Sequence, residues 1–254
     1  MNKLIFASKF YLKPGHITQI KSCPYCHGNN LKNYTKKREA LVWVSLKQCQ
    51  DCDFIFQSPR LSERGLEQYY KKDYRKMRRV PDFENNFSRE LRKGQNYLNQ
   101  IHPYISDFKN KKILEIGSAR GGILKVFKDL GADVEGLEWD IACREFANKK
   151  GINTKVQFNE LNNSKFDLII LSHVLEHVDD YSSFLEEITG VMNDDSLIFI
   201  SVPGRKTFER SIQIAHLYYF TPESLKAICD KYFSDCLFIN DNIDALYRRE
   251  KSFE

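Results

Sequence analysis

From Lys111 to the end, the chain alternates short apolar runs with amphipathic stretches, and this alternation constrains the fold more than any other feature. Residues 113–116 read as a buried strand, followed by the turn Gly117-Ser118-Ala119-Arg120-Gly121-Gly122. A helix then runs to about residue 130 and is ended by Gly131. Strands are expected at 134–139, 154–158, 166–171 and 197–202, with helices at 141–150 and 180–192 between them. The 166–171 run is apolar almost throughout, as a strand covered on both faces must be. Thr221-Pro222-Glu223 opens a further helix, with Thr as N-cap and Pro in the first turn. Runs at 236–239 and 243–247 are expected to pair as a hairpin. The pattern specifies α/β architecture: a Rossmann-like, mostly parallel, seven-stranded sheet with helices on both faces.

The front of the chain is different. Cys23-Pro-Tyr-Cys26 and Cys49-Gln-Asp-Cys52 are two C-x-x-C pairs separated by 22 residues, with strand-like runs at 41–44 and 54–56. Four thiolates in two such pairs suit tetrahedral zinc and leave no open position for catalysis, so a structural zinc ion is expected on Cys23, Cys26, Cys49 and Cys52. Cys143, Cys229 and Cys236 stand alone and read as inert buried thiols. Helical spacing appears at 65–74 and 82–101, the second stretch bounded by Pro81 and Pro103. The organisation expected is a small zinc-ribbon-like module over 1–62, a helical linker or lid over 63–110 and a catalytic domain over 111–254. Residues 1–110 hold 21 Lys and Arg against 10 Asp and Glu, while the rest holds 18 against 24. The basic front half suits an acidic or phosphate-bearing partner. No apolar run reaches the roughly 18 residues of a membrane span, and the start lacks a cleavage-site pattern, so the expected location is the cytoplasm.

The first chemical signal is the glycine turn, where a ligand can approach the backbone closely at a helix N-terminus. Glu138 follows Gly117 by 21 residues at the end of the second strand, where a carboxylate accepts hydrogen bonds from ribose hydroxyls. Trp139 beside it can pack on an adenine face. With these residues in place, the run from Ile113 to Gly122 resembles motif I of class I S-adenosylmethionine-dependent methyltransferases. The run from Phe166 through Ser172-His173-Val174-Leu175-Glu176-His177-Val178 resembles their fourth strand and its loop. The segment from His216 to Leu225 is similar to a late segment of many small-molecule members. The resemblance implies that Glu115, Gly117, Ser118 and Gly121 surround the methionine part of the cofactor and that Glu138 binds its ribose. It also places Phe158 and Asn159 near adenine, and Ser172 and His173 at the amino-acid end. Ala119 stands where many members have Gly.

His173-x-x-Glu176-His177 also matches the inverted zinc-protease pattern, but that reading ignores both the glycine turn and Glu138. Methyl transfer mainly requires positioning, and an alcohol acceptor also needs a base. His177 and His216 are the candidates, with His173 behind them. The cysteine pairs followed by Phe54-Ile-Phe-Gln-Ser-Pro59-Arg60 and Tyr69-Tyr70 resemble bacterial methyltransferases of sugar and surface-polysaccharide biosynthesis. The implied acceptor is a small polar molecule, a sugar or a nucleotide- or phosphate-linked precursor, with Tyr70 and Tyr74 as part of a lid and Lys71, Lys72, Arg75, Lys76, Arg78 and Arg79 as its anion contacts. An RNA methyltransferase docking through the zinc module is the rival. Against it, Ser172-His173 replaces the Asn/Asp-Pro-Pro-aromatic motif of base-amine methylating relatives. A third possibility is a non-catalytic binding module on the same fold.

Overall fold

A computed structural model describes residues 14–39, 42–70, 82–204 and 208–249. The stretch 1–12, the basic segment 71–79 and Tyr74 lie outside the described residues. The strands are β1 (Ile17–Thr18), β2 (Leu31–Glu39), β3 (Val42–Cys49), β4 (Ile55–Gln57), β5 (Arg60–Leu61), β6 (Lys112–Ile116), β7 (Asp133–Leu137), β8 (Asn153–Lys155), β9 (Phe166–Ser172), β10 (Met192–Ser201), β11 (Tyr218–Tyr219), β12 (Asp235–Ile239) and β13 (Asp244–Arg248). The helices are α1 (Glu63–Gln68), α2 (Phe83–Ile101), α3 (Gly122–Asp129), α4 (Ile141–Lys149), α5 (Tyr181–Gly190), α6 (Phe208–Ser211) and α7 (Pro222–Cys229). Among the described residues no helix is long and apolar enough to cross a membrane.

The main sheet has seven strands in the order β12-β13-β10-β9-β6-β7-β8. β10, β9, β6, β7 and β8 run parallel, and β13 lies antiparallel to both β10 and β12. The expected α/β architecture is therefore present, with the expected hairpin at one edge. Alternate side chains separate into two cores, because strand side chains point to opposite faces. Ile113, Leu168, Ile170 and Phe199 face α2 and α3, where Tyr97, Ile101, Leu124 and Phe127 meet them. Leu114, Ile169, Leu171, Ile198 and Ile200 face the other way, into a core shared with Val44, Leu46, Phe54 and Phe56 of the N-terminal strands. Each fully buried aliphatic or aromatic side chain of this kind contributes about 1.5–3 kcal/mol.

Several helix starts follow the local chemistry. The Asp82 side chain accepts from the N–H of Asn85 at 3.0 Å to begin α2. Thr221 and Ser224 cap each other at the start of α7, with Pro222 in its first turn. The predicted strand at 154–158 is shorter than expected, because Phe158 already belongs to a 3-10 turn, Phe158–Leu161.

A second sheet has the order β11-β4-β3-β2. Three of its strands come from the cysteine-bearing segment, and the fourth, Tyr218–Tyr219, comes from the far side of the main sheet in sequence. Of the three lone cysteines, only Cys229 is fully buried, while Cys143 and Cys236 are partly exposed. Cys143 sits in the first turn of α4, a short helix with one fully buried residue, Ala147, so the helix covers its thiol only in part.

Candidate active site and cysteine cluster

Order reversal in the main sheet falls between β6 and β9, which is where open α/β sheets place a ligand crevice at the carboxyl ends of their strands. The β6–α3 turn stands on one side of it. Gly117 and Gly121 have φ of 73° and 77°, a region that favours glycine. Ala119 adopts φ 46° in the same turn, which explains why Gly suits that position in related chains. The turn is packed without slack: a Cβ on Gly136 would lie 2.3 Å from Ser118 Oγ, and one on Gly117 would lie 2.7 Å from Val174. Ser118 is buried and its Oγ has no protein partner among the described residues, as is true of Glu115 Oε2. Burial raises the Glu115 carboxyl well above the usual range, and the carboxylates of Glu90 and Glu138 add to the effect while Lys93 opposes it.

Glu138 lies across the turn. Its Oε2 accepts from the N–H of Ala119 at 2.9 Å and its Oε1 accepts from the N–H of Asp140 at 2.7 Å. One carboxylate thus ties the glycine turn to the start of α4, and each oxygen keeps a second lone pair for a ligand hydroxyl. Burial raises its pKa, with the Ala119 N–H and Arg120 acting the other way. Trp139 is 65% exposed beside it. Phe158 is half-buried with its ring 6.2 Å from Phe184, and Asn159 is exposed. An unpartnered hydroxyl, a glycine cradle and a carboxylate with spare acceptor capacity fit the amino-acid and ribose parts of S-adenosylmethionine.

One residue that the sequence reading missed supports this turn from α2. Glu90 accepts from Arg120 at 2.7 Å and from the N–H of Gly122 at 3.2 Å, so it serves the N-terminus of α3, where Gly121 has no capping side chain. Its signal is legible only in space, because Glu90 precedes Gly122 by 32 residues.

The loop after β9 brings the three histidines around one carboxylate. Glu176 is 0% exposed; its Oε1 lies 3.3 Å from His173 Nδ1 and 3.9 Å from His177 Nε2. Glu176, His177 and His216 also bring their ligand atoms within 4.8 Å of one another. Burial alone would raise the Glu176 pKa, but the hydrogen bond from His173 and the fields of His177, His173 and His216 outweigh it and hold the carboxyl below its usual value. His177 Nδ1 lies 2.9 Å from the Ala215 carbonyl, which can only accept, so that nitrogen carries a proton. The Tyr70 hydroxyl is 2.7 Å from the same nitrogen. His173–His177 do not share a helical face, as the inverted protease pattern requires: His173 has φ 57°, and only Leu175–His177 forms a 3-10 turn. Ser172 Oγ lies 3.1 Å from the Tyr97 hydroxyl.

The four predicted cysteines also come together. Cys23 and Cys52 sulfurs are 3.6 Å apart, as are those of Cys26 and Cys49, and all four lie within 4.8 Å of one another. Zinc–sulfur bonds of about 2.3 Å in a tetrahedron require sulfur separations near 3.8 Å, so this donor set fits zinc. The two turns are built alike, with His27 and Asp53, each just after its second cysteine, at φ 62° and 59°. The Cys23 carbonyl accepts from the N–H of His27 at 3.0 Å, and the Cys49 carbonyl from that of Asp53 at 2.9 Å.

A methyltransferase-domain family model matches residues 88–233, more than half of the chain. Ubiquinone biosynthesis O-methyltransferases are among its relatives. That of Glaesserella parasuis is 29% identical over 120 residues, covering 40% of this chain and 51% of that protein. That of Pelagibacter ubique is 32% identical over 101 residues, covering 37% and 42%. The chain spans about half the length of these relatives. Among solved structures, an amino pentose methyltransferase from Micromonospora echinaspora, involved in calicheamicin biosynthesis and bound to S-adenosylmethionine, superposes with a TM-score of 0.52 at 12% identity. The superposition covers 63% of this chain and 91% of that one, and speaks to the fold. On the family match and the sheet order together, the chain belongs to the methyltransferase-domain family, with the class I S-adenosylmethionine-dependent methyltransferase fold.

Proposed function

We propose that the chain transfers a methyl group from S-adenosylmethionine to an oxygen of a small polar acceptor, a sugar or phosphate-bearing precursor of a bacterial surface polysaccharide. The cofactor supplies an electrophilic methyl carbon on a sulfonium. Glu138 accepts from the ribose hydroxyls, and Trp139, Phe158 and Asn159 border the adenine. Glu115, Gly117, Ser118, Gly121 and Ser172 enclose the methionine part. The oxygen acceptor accords with the O-methyltransferase names of the relatives. Zinc on Cys23, Cys26, Cys49 and Cys52 organises the segment 1–62, while 63–110 links it to the catalytic domain 111–254.

One observation carries the reading of the chemistry. His173 lines a cavity at the carboxyl end of β9 and is 42% exposed, while its Nδ1 lies within hydrogen-bond reach of the buried Glu176. A carboxylate accepts only, so His173 Nδ1 donates and leaves Nε2 as the basic nitrogen, the arrangement by which a buried acid orients a general base. Among the three histidine candidates, this exposure and this hydrogen bond favour His173 as the base that takes the acceptor's proton. His177 and His216 hold Glu176 from the other side, and the Tyr70 hydroxyl on His177 fits a lid contact.

The test begins with calorimetric titration of the zinc-loaded protein with S-adenosylhomocysteine and, separately, with NAD. Micromolar binding of the first alone is expected. Folded protein that binds neither defeats the reading in favour of a non-catalytic module. His173→Ala is then expected to lower turnover at unchanged S-adenosylhomocysteine affinity, and full activity would return the base to His177 or His216.

A further inference from the structure

A cavity of about 440 Å³ opens between the second half of α2 and the ends of β9 and β10. Small-molecule sites span about 300–1,000 Å³. Of the residues that the resemblance sets around the cofactor, only His173 lines it. Lys93, Asn96, Tyr97 and Gln100 reach it from one face of α2, since they stand three, four and seven residues apart. His173 faces them, and Asp244 closes the far side.

Two polar groups of this wall, Gln100 and Asp244, are held in fixed orientations. Asn240 Oδ1 accepts from the backbone N–H groups of Asn242 and Asp244 at 2.9 and 3.1 Å. Its Nδ2 therefore points outward and donates to Gln100 Oε1 at 3.1 Å. Gln100 Nε2 then donates to Asp244 Oδ2 at 3.1 Å. The chain leaves Asp244 Oδ1 with no donor among the described residues. Lys93 lies nearby with no carboxylate in ion-pair range among those residues. Burial lowers its pKa, and the fields of Glu115, Glu176, Asp244 and Glu90 work against that.

We infer that this cavity is the acceptor subsite and that it is built for an uncharged polyhydroxylated ring, with Asp244 accepting from one hydroxyl and Lys93 donating to its neighbour. A hydroxyl both donates and accepts, so an acceptor-only carboxylate beside a donor-only ammonium matches adjacent hydroxyls. Lys93 and Asp244 bring opposite charges to the same cavity. A phosphate inside would meet the Asp244 carboxylate, and a cation would meet Lys93, so any charged group on the acceptor lies outside the cavity. A planar phenol finds no exposed aromatic face here: Tyr97 is buried, with its ring 4.5 Å from Phe199. The inference rests on the methyl-transfer reading only in naming the occupant as the acceptor.

The side-chain amide signals of Asn96, Gln100 and Asn242 in the isotope-labelled full chain report binding, with and without S-adenosylhomocysteine. The probes are the methyl glycosides of glucose, mannose and galactose, free rhamnose, glucose phosphate and protocatechuate. At least one neutral sugar is expected to shift these signals saturably, and glucose phosphate to bind no tighter than it. Asp244→Asn and Lys93→Met each weaken that sugar about tenfold, the size of one lost hydrogen bond to a charged group. Asp244→Asn leaves S-adenosylhomocysteine affinity within about twofold, as expected of separate sites. Neutral sugars that leave the signals unmoved, tighter binding of glucose phosphate or protocatechuate, or wild-type sugar affinity in Asp244→Asn overturns the inference. Failure of S-adenosylhomocysteine to bind defeats the methyl-transfer reading instead, because the sugar titration is read without it.

Discussion

Glu176→Gln keeps the shape of the side chain and removes its charge from among three histidines. Two unit charges about 4 Å apart attract by about 4 kcal/mol at an effective dielectric near 20. The separation here is 3.3 Å to His173 Nδ1, but that ring is 42% exposed, and solvent screening cuts the value to roughly 1.5–3 kcal/mol. Loss of that attraction to the imidazolium formed as the base takes a proton is expected to lower turnover by about tenfold or more. Affinity for S-adenosylhomocysteine should not change, since the glycine turn and Glu138 do not touch this carboxylate. The stability effect has a definite sign. The Glu176 pKa is held below its usual value, so its contribution is complete above an unfolded pKa of about 4.3 and is lost as pH falls through the folded value. The variant should therefore unfold more easily at neutral pH, with the gap from wild type closing under acid. Wild-type turnover in a folded variant refutes the orienting role of Glu176.

Three further changes probe the crevice and one probes the cysteines. Glu115→Gln should raise the melting temperature at neutral pH, because burial lifts the Glu115 pKa and makes its charged form the unfavourable one. The raised pKa means the penalty grows as pH rises above the unfolded value of about 4.3, so the gain should shrink towards acid, and no gain at neutral or higher pH contradicts the assignment. Glu138→Ala should weaken S-adenosylhomocysteine binding by roughly 1–3 kcal/mol in calorimetry, and unchanged affinity removes the ribose role. Ala119→Gly should relieve about 1 kcal/mol of left-handed strain in denaturant unfolding, and a loss of stability would show that the turn has another conformation in solution. Cys49→Ser or zinc chelation should lower turnover through the loop of Glu176 and His216, while an unaltered turnover–pH profile in metal-free protein refutes that coupling.

The main sheet was legible because its signals are local. Strand 166–171 is an apolar run broken only by Asp167, and the helix stops at Gly131 and Gly151 fall at positive φ, 88° and 79°. The C-x-x-C pairs were legible for the same reason, since each turn closes on itself. β2 was not: all eight of its residues after Leu31 are polar or aromatic and most are exposed, so it has no apolar alternation to read. β11 was also hidden, because two residues cannot show a period and its partner β4 lies more than 160 residues earlier. Lys93, Gln100 and Asp244 look like ordinary surface positions in the sequence. Only the packing of α2 over the ends of β10 and β13 turns them towards one cavity.

The placement of β11 connects the cysteine cluster to the histidines. Cys49 ends β3, and its N–H donates to the Phe54 carbonyl at 3.0 Å, which sets the start of β4. β4 pairs with Tyr218 and Tyr219, and the Gln57 N–H donates to the Leu217 carbonyl at 2.8 Å. The Leu217 N–H in turn donates to the Glu176 carbonyl at 2.7 Å, and His216 is the residue before it. Side chains repeat the link: Phe54 is fully buried with its ring 5.6 Å from Tyr218, and Arg60 pairs with Asp179 at 2.5 Å. The Tyr181 hydroxyl donates to the Pro24 carbonyl at 3.0 Å, and the Tyr25 hydroxyl to that of Ala227 at 3.3 Å. A short segment with little core of its own gains order from a metal, because metal binding free energy is then folding free energy. Here the ordered strand is the one that holds the loop carrying Glu176. A metal with no open coordination position would thus act on the proposed chemistry, by fixing the carboxylate that bonds to His173.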